Sequence, residues 1–113
     1  MDVKPWEAWW LDVDPTAGRE QAGQRPALVV SSRFHLALTG GALVSVLPLT
    51  SRERPGWVHR VRIDIPGKPT SWAITEQVCT VSANRLTGRG PLYRLNVEQI
   101  AEVRTVLVQM IDF

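Results

Sequence analysis

The sequence predicts a mainly β protein with one C-terminal helix, folded as a small, partly open barrel. Short apolar or alternating segments are separated by polar turns, and a helical pattern occurs only near the end of the chain. A parallel sheet would need helices between its strands, so we expect the strands to pair antiparallel and to curl. The length of 113 residues corresponds to one domain over residues 1–113.

Five segments have the composition of strands. They are residues 6–13, 26–31, 43–47, 57–65 and 77–82. The first is rich in aromatic and β-branched residues and ends at Pro15, which cannot continue a ladder. The second and third are apolar throughout, as in strands buried on both faces. The fourth alternates, with Val61 and Ile63 on one face and Arg62 on the other.

Two polar loops and a helix complete the predicted elements. The loops cover residues 15–24 and 50–56, and the ten-residue first loop is long enough to suggest a functional role. Apolar residues recur at helical spacing over residues 97–110. Asn96 is a suitable N-cap, and Gln99 three residues later completes a capping box.

Composition narrows the classes of protein that the chain can represent. With 44% hydrophobic and 21% charged residues the chain is expected to fold, and no apolar run is long enough to cross a membrane. The net charge is only +2, but 11 of the 13 basic residues are Arg, the residue best suited to grip phosphate. That bias is equally typical of a GC-rich genome. A single Cys predicts no internal disulfide, as is typical of a cytoplasmic protein, and one Cys with two separated His provides no zinc-ligand cluster. No cofactor is expected.

The ends of two predicted strands bring chemically useful side chains together. Arg25 opens the second strand, and Thr50 and Ser51 close the third. If these strands form a hairpin, Arg25 and Thr50 lie at the same end of the barrel, where a guanidinium and a hydroxyl would cradle a phosphate. The alternative is a surface charge and an ordinary turn. Cys79 is expected to be buried and inert, since it lies in an apolar strand pattern without a nucleophile motif.

One long stretch resembles a known family. Residues 9–31, WWLDVDPTAGREQAGQRPALVVS, are similar to the signature of the MazF/PemK (Kid) toxins. Shorter matches follow in the family's order and nearly fill the chain. They are residues 46–51, 76–78, 80–82, 85–86 and 90.

The resemblance implies a homodimeric, SH3-like β-barrel of the MazF/CcdB type that cleaves RNA. Such toxins are sequence-specific, metal-independent endoribonucleases that cut single-stranded RNA, chiefly messenger RNA. The ribose 2′-OH attacks the adjacent phosphate and leaves a 2′,3′-cyclic phosphate and a 5′-OH end. Because the substrate supplies the nucleophile, the protein has only to position the backbone, move protons and stabilise charge.

The resemblance also implies roles for individual residues. Arg25 matches the family's catalytic arginine, and Thr50 matches its active-site threonine, with Ser51 as a helper. Arg25 would bind the scissile phosphate and assist proton transfer; charge stabilisation is the firmer role, because arginine is a poor proton donor. Glu20 matches an acidic residue of the loop motif. Arg19 stands beside it where some members have His.

Further supporting positions are implied or suggested near the site. Glu76, next to Gln77, falls where some members carry an active-site carboxylate, although Ile74 stands where they have Arg. Arg52 and Arg54, in the loop after Thr50, are expected to contact RNA, with a solvated turn as the alternative.

All five tryptophans of the chain are considered next, beginning with one that departs from the family pattern. Trp6 precedes Glu7 where the family usually has Gly before the first acidic residue. Four other tryptophans are assigned to core or interface rather than to base stacking. They are Trp9, Trp10, Trp57 and Trp72.

The resemblance implies two protein partners. The partners are a second copy of the chain and a cognate antitoxin, whose acidic C-terminal segment would cover the RNA-binding surface.

Two other functions are alternatives to RNA cleavage. One is a CcdB-like, non-enzymatic gyrase poison; however, the chain lacks the terminal Trp-Gly-Ile of those toxins. The other is an RNA-binding barrel without cleavage activity.

Overall fold

The computed structural model describes residues 2–13, 23–53, 56 and 59–111. Its helices are α1 (Arg33–Leu38) and α2 (Val97–Val108). Its strands are β1 (Glu7–Val13), β2 (Gly23–Val29), β3 (Leu43–Thr50), β4 (Arg60–Ile63), β5 (Ser71–Ile74), β6 (Cys79–Ser82), β7 (Leu86–Thr87) and β8 (Tyr93–Arg94). Within the described residues these strands form one antiparallel sheet in the order β4-β5-β3-β2-β1-β7, with β6 also on β3 and β8 also on β1. The sheet curls into a half-barrel, and the predicted fold class is confirmed.

The strand β3 joins the two halves of the sheet. One of its edges pairs with β2, where Ala27 lies opposite Pro48. Its other edge is divided, because β6 pairs with residues 43–46 and β5 pairs with Leu49 and Thr50. Pro48 lies near the point of division and has no N–H to donate to either neighbour. Continuing the β2–β3 register by two residues sets Arg25 opposite Thr50, as the sequence predicts.

Buried side chains form two clusters on opposite faces of the sheet. The first cluster consists of Ala8, Leu28, Leu47, Leu49, Val61, Ile63, Ile65, Ala73, Leu95 and Val103. The second consists of Trp9, Ala27, Val29, Val44, Val46 and Leu86. The first lies between the curled sheet and α2, which contributes Val103. The alternation predicted for residues 57–65 is confirmed where it is described, since Val61 and Ile63 are buried and Arg62 is exposed.

The helix α2 has the start that the sequence predicts. The Asn96 side chain accepts from the Gln99 N–H at 2.8 Å, and the Gln99 side chain accepts from the Asn96 N–H at 3.0 Å. This capping box satisfies N–H groups that have no partner inside the helix. The helix ends at Val108, two residues before the predicted end. No helix in the described part of the chain is long and apolar enough to cross a bilayer.

The short helix α1 is a feature that the sequence analysis did not predict. Ser32 caps the helix by accepting from the His35 N–H at 3.0 Å. His35 Nδ1 lies 2.7 Å from Ser31 Oγ, which also accepts from the Ser45 N–H at 2.7 Å. His35 therefore ties α1 to the ends of two strands, and its ring has a structural partner.

Several other predicted boundaries differ from the structure. β2 begins at Gly23, inside the predicted first loop, while β5, β7 and β8 were not predicted at all. β6 begins at Cys79, since Gln77 belongs to a 3₁₀ turn. The expectation that Cys79 is buried is wrong: the thiol is exposed, because β6 pairs along only one edge in the described residues.

Candidate functional site

A pocket of about 250 Å³ lies where β2 and β3 meet at one end of the half-barrel. We call it the Arg25 pocket, and its polar lining consists of Arg25, Thr50, Ser51, Lys68 and Ser71. Leu49 and Ile65 extend into it from the first buried cluster, so its floor is the open end of the core. The pocket brings together Arg25 and Thr50, which are 25 positions apart in the chain.

Hydrogen-bonded strands fix the backbone positions from which both side chains extend. Arg25 lies opposite Leu11 of β1 and is followed by Pro26, which restricts the Arg25 backbone to an extended conformation. Thr50 lies opposite Trp72 of β5. Since each residue belongs to a paired strand rather than a loop, the sheet sets the separation of their Cα atoms.

The hydroxyl of Thr50 is oriented by its own turn. Its oxygen accepts from the Arg52 backbone N–H at 3.2 Å. A threonine hydroxyl has one proton to donate and two lone pairs, so this contact leaves the proton for another acceptor. The neighbouring Ser51 is exposed and adds a second hydroxyl to the pocket.

Lys68 and Trp10 also line the pocket, and the sequence analysis missed both as site residues. Lys68 lies in a turn in which its N–H donates to the Ile65 carbonyl at 3.0 Å. Its Nζ is 5.9 Å from the centre of the Trp10 ring, within cation–π range. The sequence does contain a feature that could have indicated Lys68 as a site residue. Lys68 is one of only two lysines, and it lies in a Gly-Lys-Pro turn directly after an alternating strand.

Among the described residues, the charged side chains that line the Arg25 pocket are positive. Two cations, Arg25 and Lys68, line it together with hydroxyl groups. No carboxylate is found among the described lining residues. A pocket with this lining attracts a phosphate or another anion.

A second polar pair, His59 and Glu76, lies outside the Arg25 pocket. His59 Nε2 and Glu76 Oε2 are 2.6 Å apart, and both side chains are partly exposed. The Thr75 hydroxyl donates to the His59 carbonyl, which fixes the backbone beside the pair. Neither Glu76 nor Gln77 lines the pocket. The structure therefore does not bring Glu76 to Arg25 within one chain.

The predicted loop residues are only partly described. Arg52 is exposed and does not line the pocket, and its carbonyl lies 3.5 Å from an Arg60 guanidinium nitrogen. Arg54, Arg19 and Glu20 lie outside the described residues. In the part of the chain that the structure covers, no three His, Cys, Asp or Glu side chains are arranged to hold a metal ion.

The fold and the pocket together define a class of small, curled β-sheet proteins in which basic and hydroxyl side chains line a pocket at one end of the sheet. Comparison with known protein families shows which family the chain belongs to. Residues 4–111 match the family described as the PemK-like, MazF-like toxin of type II toxin–antitoxin systems. The chain belongs to this family, and the resemblance seen in the sequence is confirmed.

Individual relatives agree with this assignment. Endoribonuclease MazF9 of Mycobacterium tuberculosis is 28% identical, over 94% of this chain and 93% of the relative. Endoribonuclease PemK of Escherichia coli is 42% identical over 50 residues, which cover 44% of this chain and 36% of the relative.

Solved structures of the family have the same fold. A MazF structure from Deinococcus radiodurans superposes with a TM-score of 0.72 at 27% identity, covering 97% of this chain and 96% of that one. A MazE–MazF structure from the same organism gives a TM-score of 0.76 at 27% identity, covering 96% and 94%.

Proposed function

We propose that this chain is the toxin of a type II toxin–antitoxin system and acts as a sequence-specific, metal-independent endoribonuclease on single-stranded RNA, chiefly messenger RNA. Membership of the PemK/MazF family and relatives named as endoribonucleases support the activity. The observation that supports the site most is the pocket shared by Arg25, Thr50 and Lys68, which has no described carboxylate in its lining.

The proposed reaction is an internal transfer within the RNA backbone. The ribose 2′ oxygen forms a bond to the adjacent phosphorus, and the bond from phosphorus to the 5′ oxygen breaks. The 2′-OH loses its proton and the departing 5′ oxygen gains one, so the products are a 2′,3′-cyclic phosphate and a 5′-OH end. Negative charge builds up on the phosphate oxygens between these events, and fixed donors that meet this charge lower the barrier.

Arg25 is proposed to bind the scissile phosphate. Its planar guanidinium offers paired N–H donors that match two phosphate oxygens. Its position on a paired strand fixes the backbone from which these donors extend into the pocket. Arg25 is also the candidate to deliver a proton to the 5′ oxygen, although charge stabilisation is the role that its chemistry favours.

Thr50, Ser51 and Lys68 are proposed to complete the phosphate site. The Thr50 hydroxyl already accepts from the Arg52 N–H, so its proton is available to a phosphate oxygen. Ser51 offers a second, neutral donor. Lys68 adds a positive charge across the pocket, and we expect it to bind a neighbouring phosphate of the RNA backbone.

Other predicted residues keep supporting roles in the proposal. Arg52 and Arg54, in the loop after Thr50, are proposed to grip RNA and to influence which motif is cut. Glu20 and Arg19 remain proposed contributors from the first loop. For Glu76 and Gln77 the proposal is weaker, because within one chain Glu76 pairs with His59.

Two protein partners and a location belong to the proposal. Structures of MazE–MazF complexes from D. radiodurans are similar to this chain over 96% of its length, which supports a cognate antitoxin. An acidic antitoxin segment would suit the cationic pocket. We also propose a homodimer, the commonest symmetric assembly, and a cytoplasmic location, where messenger RNA is translated.

The test is cleavage of a long single-stranded RNA by the purified protein in the presence of EDTA. We expect cuts at a short recurring motif, with cyclic phosphate and 5′-OH ends identified by end mapping. Arg25→Ala and Thr50→Ala should each lower the cleavage rate about 100-fold or more, the usual loss when one transition-state donor is removed. The matched control is Arg62→Ala, because Arg62 is exposed and lies outside the pocket.

Each contrary result has a definite meaning. Wild-type rates in Arg25→Ala would show that the site assignment is wrong. RNA that shifts on a gel without being cut would indicate a binding protein, and trapped gyrase–DNA complexes would indicate a gyrase poison.

A further inference from the structure

Two of the four tryptophans in the described part of the chain pack against neither buried cluster. Trp9 belongs to the second cluster, and Trp6 packs against the first. Trp10 and Trp72 pack against neither, and both are partly exposed. Burial in the core therefore does not account for these two rings, and each lies near the proposed reaction centre.

Trp72 lies on the same face of the sheet as Thr50. The two residues are directly opposite each other in the pairing of β3 with β5. One position away, Leu49 lies opposite Ala73, and both of these are buried in the first cluster. Because side chains alternate between the faces of a strand, Thr50 and Trp72 project together from the face opposite that cluster. Directly opposed residues have Cβ atoms about 4.5–5.5 Å apart, so the two side chains are neighbours.

Arg25 extends this pair to a row across three strands. The register of β2 with β3, continued from the pair of Ala27 with Pro48, sets Arg25 opposite Thr50. Neighbouring strands are about 4.8 Å apart, so the Trp72 backbone lies about 10 Å from that of Arg25, with Thr50 between them. A phosphate held by Arg25 and Thr50 therefore brings the base of a flanking nucleotide within reach of Trp72.

Trp10 is less suited than Trp72 to contact that base. It lies opposite Pro26, the residue after Arg25, so alternation places it on the other face of the sheet from Arg25. The Lys68 Nζ is 5.9 Å from the centre of the Trp10 ring, which puts a cation where a base would stack.

Basic side chains border Trp72 on its β4 side. Arg62 lies opposite Trp72, and Arg60 lies two positions earlier in β4 on the same face. Asp64 offsets the charge of Arg62 at 3.3 Å, whereas an Arg60 guanidinium nitrogen lies 3.5 Å from the Arg52 carbonyl in the loop after β3. An aromatic ring among cations suits a ligand that carries both bases and phosphates, as single-stranded RNA does.

We propose that the Trp72 indole stacks on one of the two bases that flank the scissile phosphate. This inference rests on the proposed endoribonuclease function and adds to it a residue that holds the substrate. Every base has an aromatic face, so the contact anchors the nucleotide whatever its sequence. The ring touches no reacting atom, so Trp72 contributes to RNA affinity and not to the rate of the bond-breaking step.

The first test is single-turnover cleavage of a short RNA with one cut site at increasing protein concentrations. Trp72→Leu should raise the protein concentration that gives the half-maximal rate by about five-fold or more, through the loss of one stacked base. The maximal rate should stay within about two-fold of the native value, because the lost contact is the same before and during reaction. Trp72→Phe keeps an aromatic face and should be closer to the native chain in both values. Leucine keeps the apolar bulk, so the difference between the two variants measures stacking and not burial.

The second test uses abasic nucleotides to locate the stacked base. The RNA has a 2′-deoxy sugar at the cut site, so it binds without reacting, and it lacks the base on either the 5′ or the 3′ side of the scissile phosphate. One of these two RNAs should bind the native chain about five-fold or more less tightly than the intact RNA, as measured by fluorescence anisotropy. In Trp72→Leu the same abasic nucleotide should change affinity by less than about two-fold, because a direct contact makes the two losses non-additive.

Controls separate the loss of stacking from changes in folding and assembly. Both Trp72 variants should keep the native circular dichroism spectrum and the native mass in light scattering. A change in mass would overturn the inference, because it would assign the ring to the contact with a second copy of the chain.

Three further results would overturn this inference while the proposed function stands. The first is a maximal rate that falls ten-fold in Trp72→Leu with an unchanged half-saturating concentration, since Trp72 would then act only by positioning Thr50. The second is an additive effect of the abasic nucleotide and Trp72→Leu. The third is equal binding of the intact and both abasic RNAs by the native chain, a result that requires no variant. If the native chain cut no RNA, the proposed function would fail, and this inference would fail with it.

Discussion

At the scale of single residues, Arg25 has the most demanding role in the proposed chemistry. A guanidinium presents several N–H donors in one plane, whereas an ammonium is a compact charge on a flexible stem. The β1–β2 pairing holds the Arg25 backbone in the sheet, and the pocket adds Thr50 and Lys68 around the same space. The shape of the donor set therefore matters as much as its charge.

Replacing Arg25 by lysine separates charge from shape. Arg25→Lys should cleave RNA more slowly than the native chain by at least ten-fold, since the charge remains but the paired donors are lost. It should remain faster than Arg25→Ala. Single-turnover cleavage of a short RNA that contains one cut site measures all three rates. A lysine variant as fast as the native chain would mean that only the charge contributes.

Lys68 gives a prediction about binding rather than chemistry. If Lys68 contacts one phosphate, Lys68→Ser should weaken RNA binding at every sequence and lower the slope of log affinity against log salt by about 0.7. The measurement uses RNA with a 2′-deoxy sugar at the cut site, which binds but cannot react. Lys4→Ser is the matched control, because Lys4 does not line the Arg25 pocket. An unchanged slope would exclude the phosphate contact.

The site residues that the sequence predicted lie on paired strands, whereas the one that it missed lies in a turn. Arg25 and Thr50 belong to neighbouring strands, and the hairpin register alone sets them side by side. Lys68 reaches the pocket through a turn after β4, whose path no periodic pattern encodes. Cys79 was wrongly expected to be buried, because an apolar pattern does not show that a strand lies at an edge.

At the scale of secondary-structure elements, Val103 is the fully buried side chain through which α2 enters the core, with Ile100, Val106 and Leu107 partly buried beside it. Val103 is fully buried in the first cluster, whereas Val97 on the same helix is 82% exposed. Val103→Ala should lower the free energy of unfolding by about 1–3 kcal/mol, through lost burial and the cavity left behind. Val97→Ala is the matched control and should change it by less than about 0.5 kcal/mol. Chemical denaturation measures both, and equal effects would contradict the packing assigned to α2.

The elements that sequence analysis found are those with a repeating pattern. α2 has both a periodic apolar face and a capping box, so its start was predicted to the residue. α1 has six residues, fewer than two turns, and its apolar side chains face the second cluster only through Leu36. β7 and β8 have two residues each, too few to show alternation. Their existence depends on pairing with β1, which is a tertiary contact.

At the scale of the whole molecule, a single chain leaves large apolar side chains in water. They include Phe34, Leu38, Val78 and Val97, and Phe34 is 76% exposed. Surfaces of this kind commonly bind another protein. We expect light scattering after size-exclusion chromatography to give twice the chain mass of 12.6 kDa. A mass of one chain at all concentrations up to 100 µM would contradict the proposed homodimer.

The divided edge of β3 has a consequence for how movement spreads through the molecule. β6 is bonded to residues 43–46 and β5 to Leu49 and Thr50, with Pro48 between these segments. A shift imposed on β6 therefore has no continuous row of hydrogen bonds along which to reach Thr50. Thr50 is paired with β5 instead, so we expect a change along the edge that carries Cys79 to leave the backbone position of this proposed catalytic residue in place.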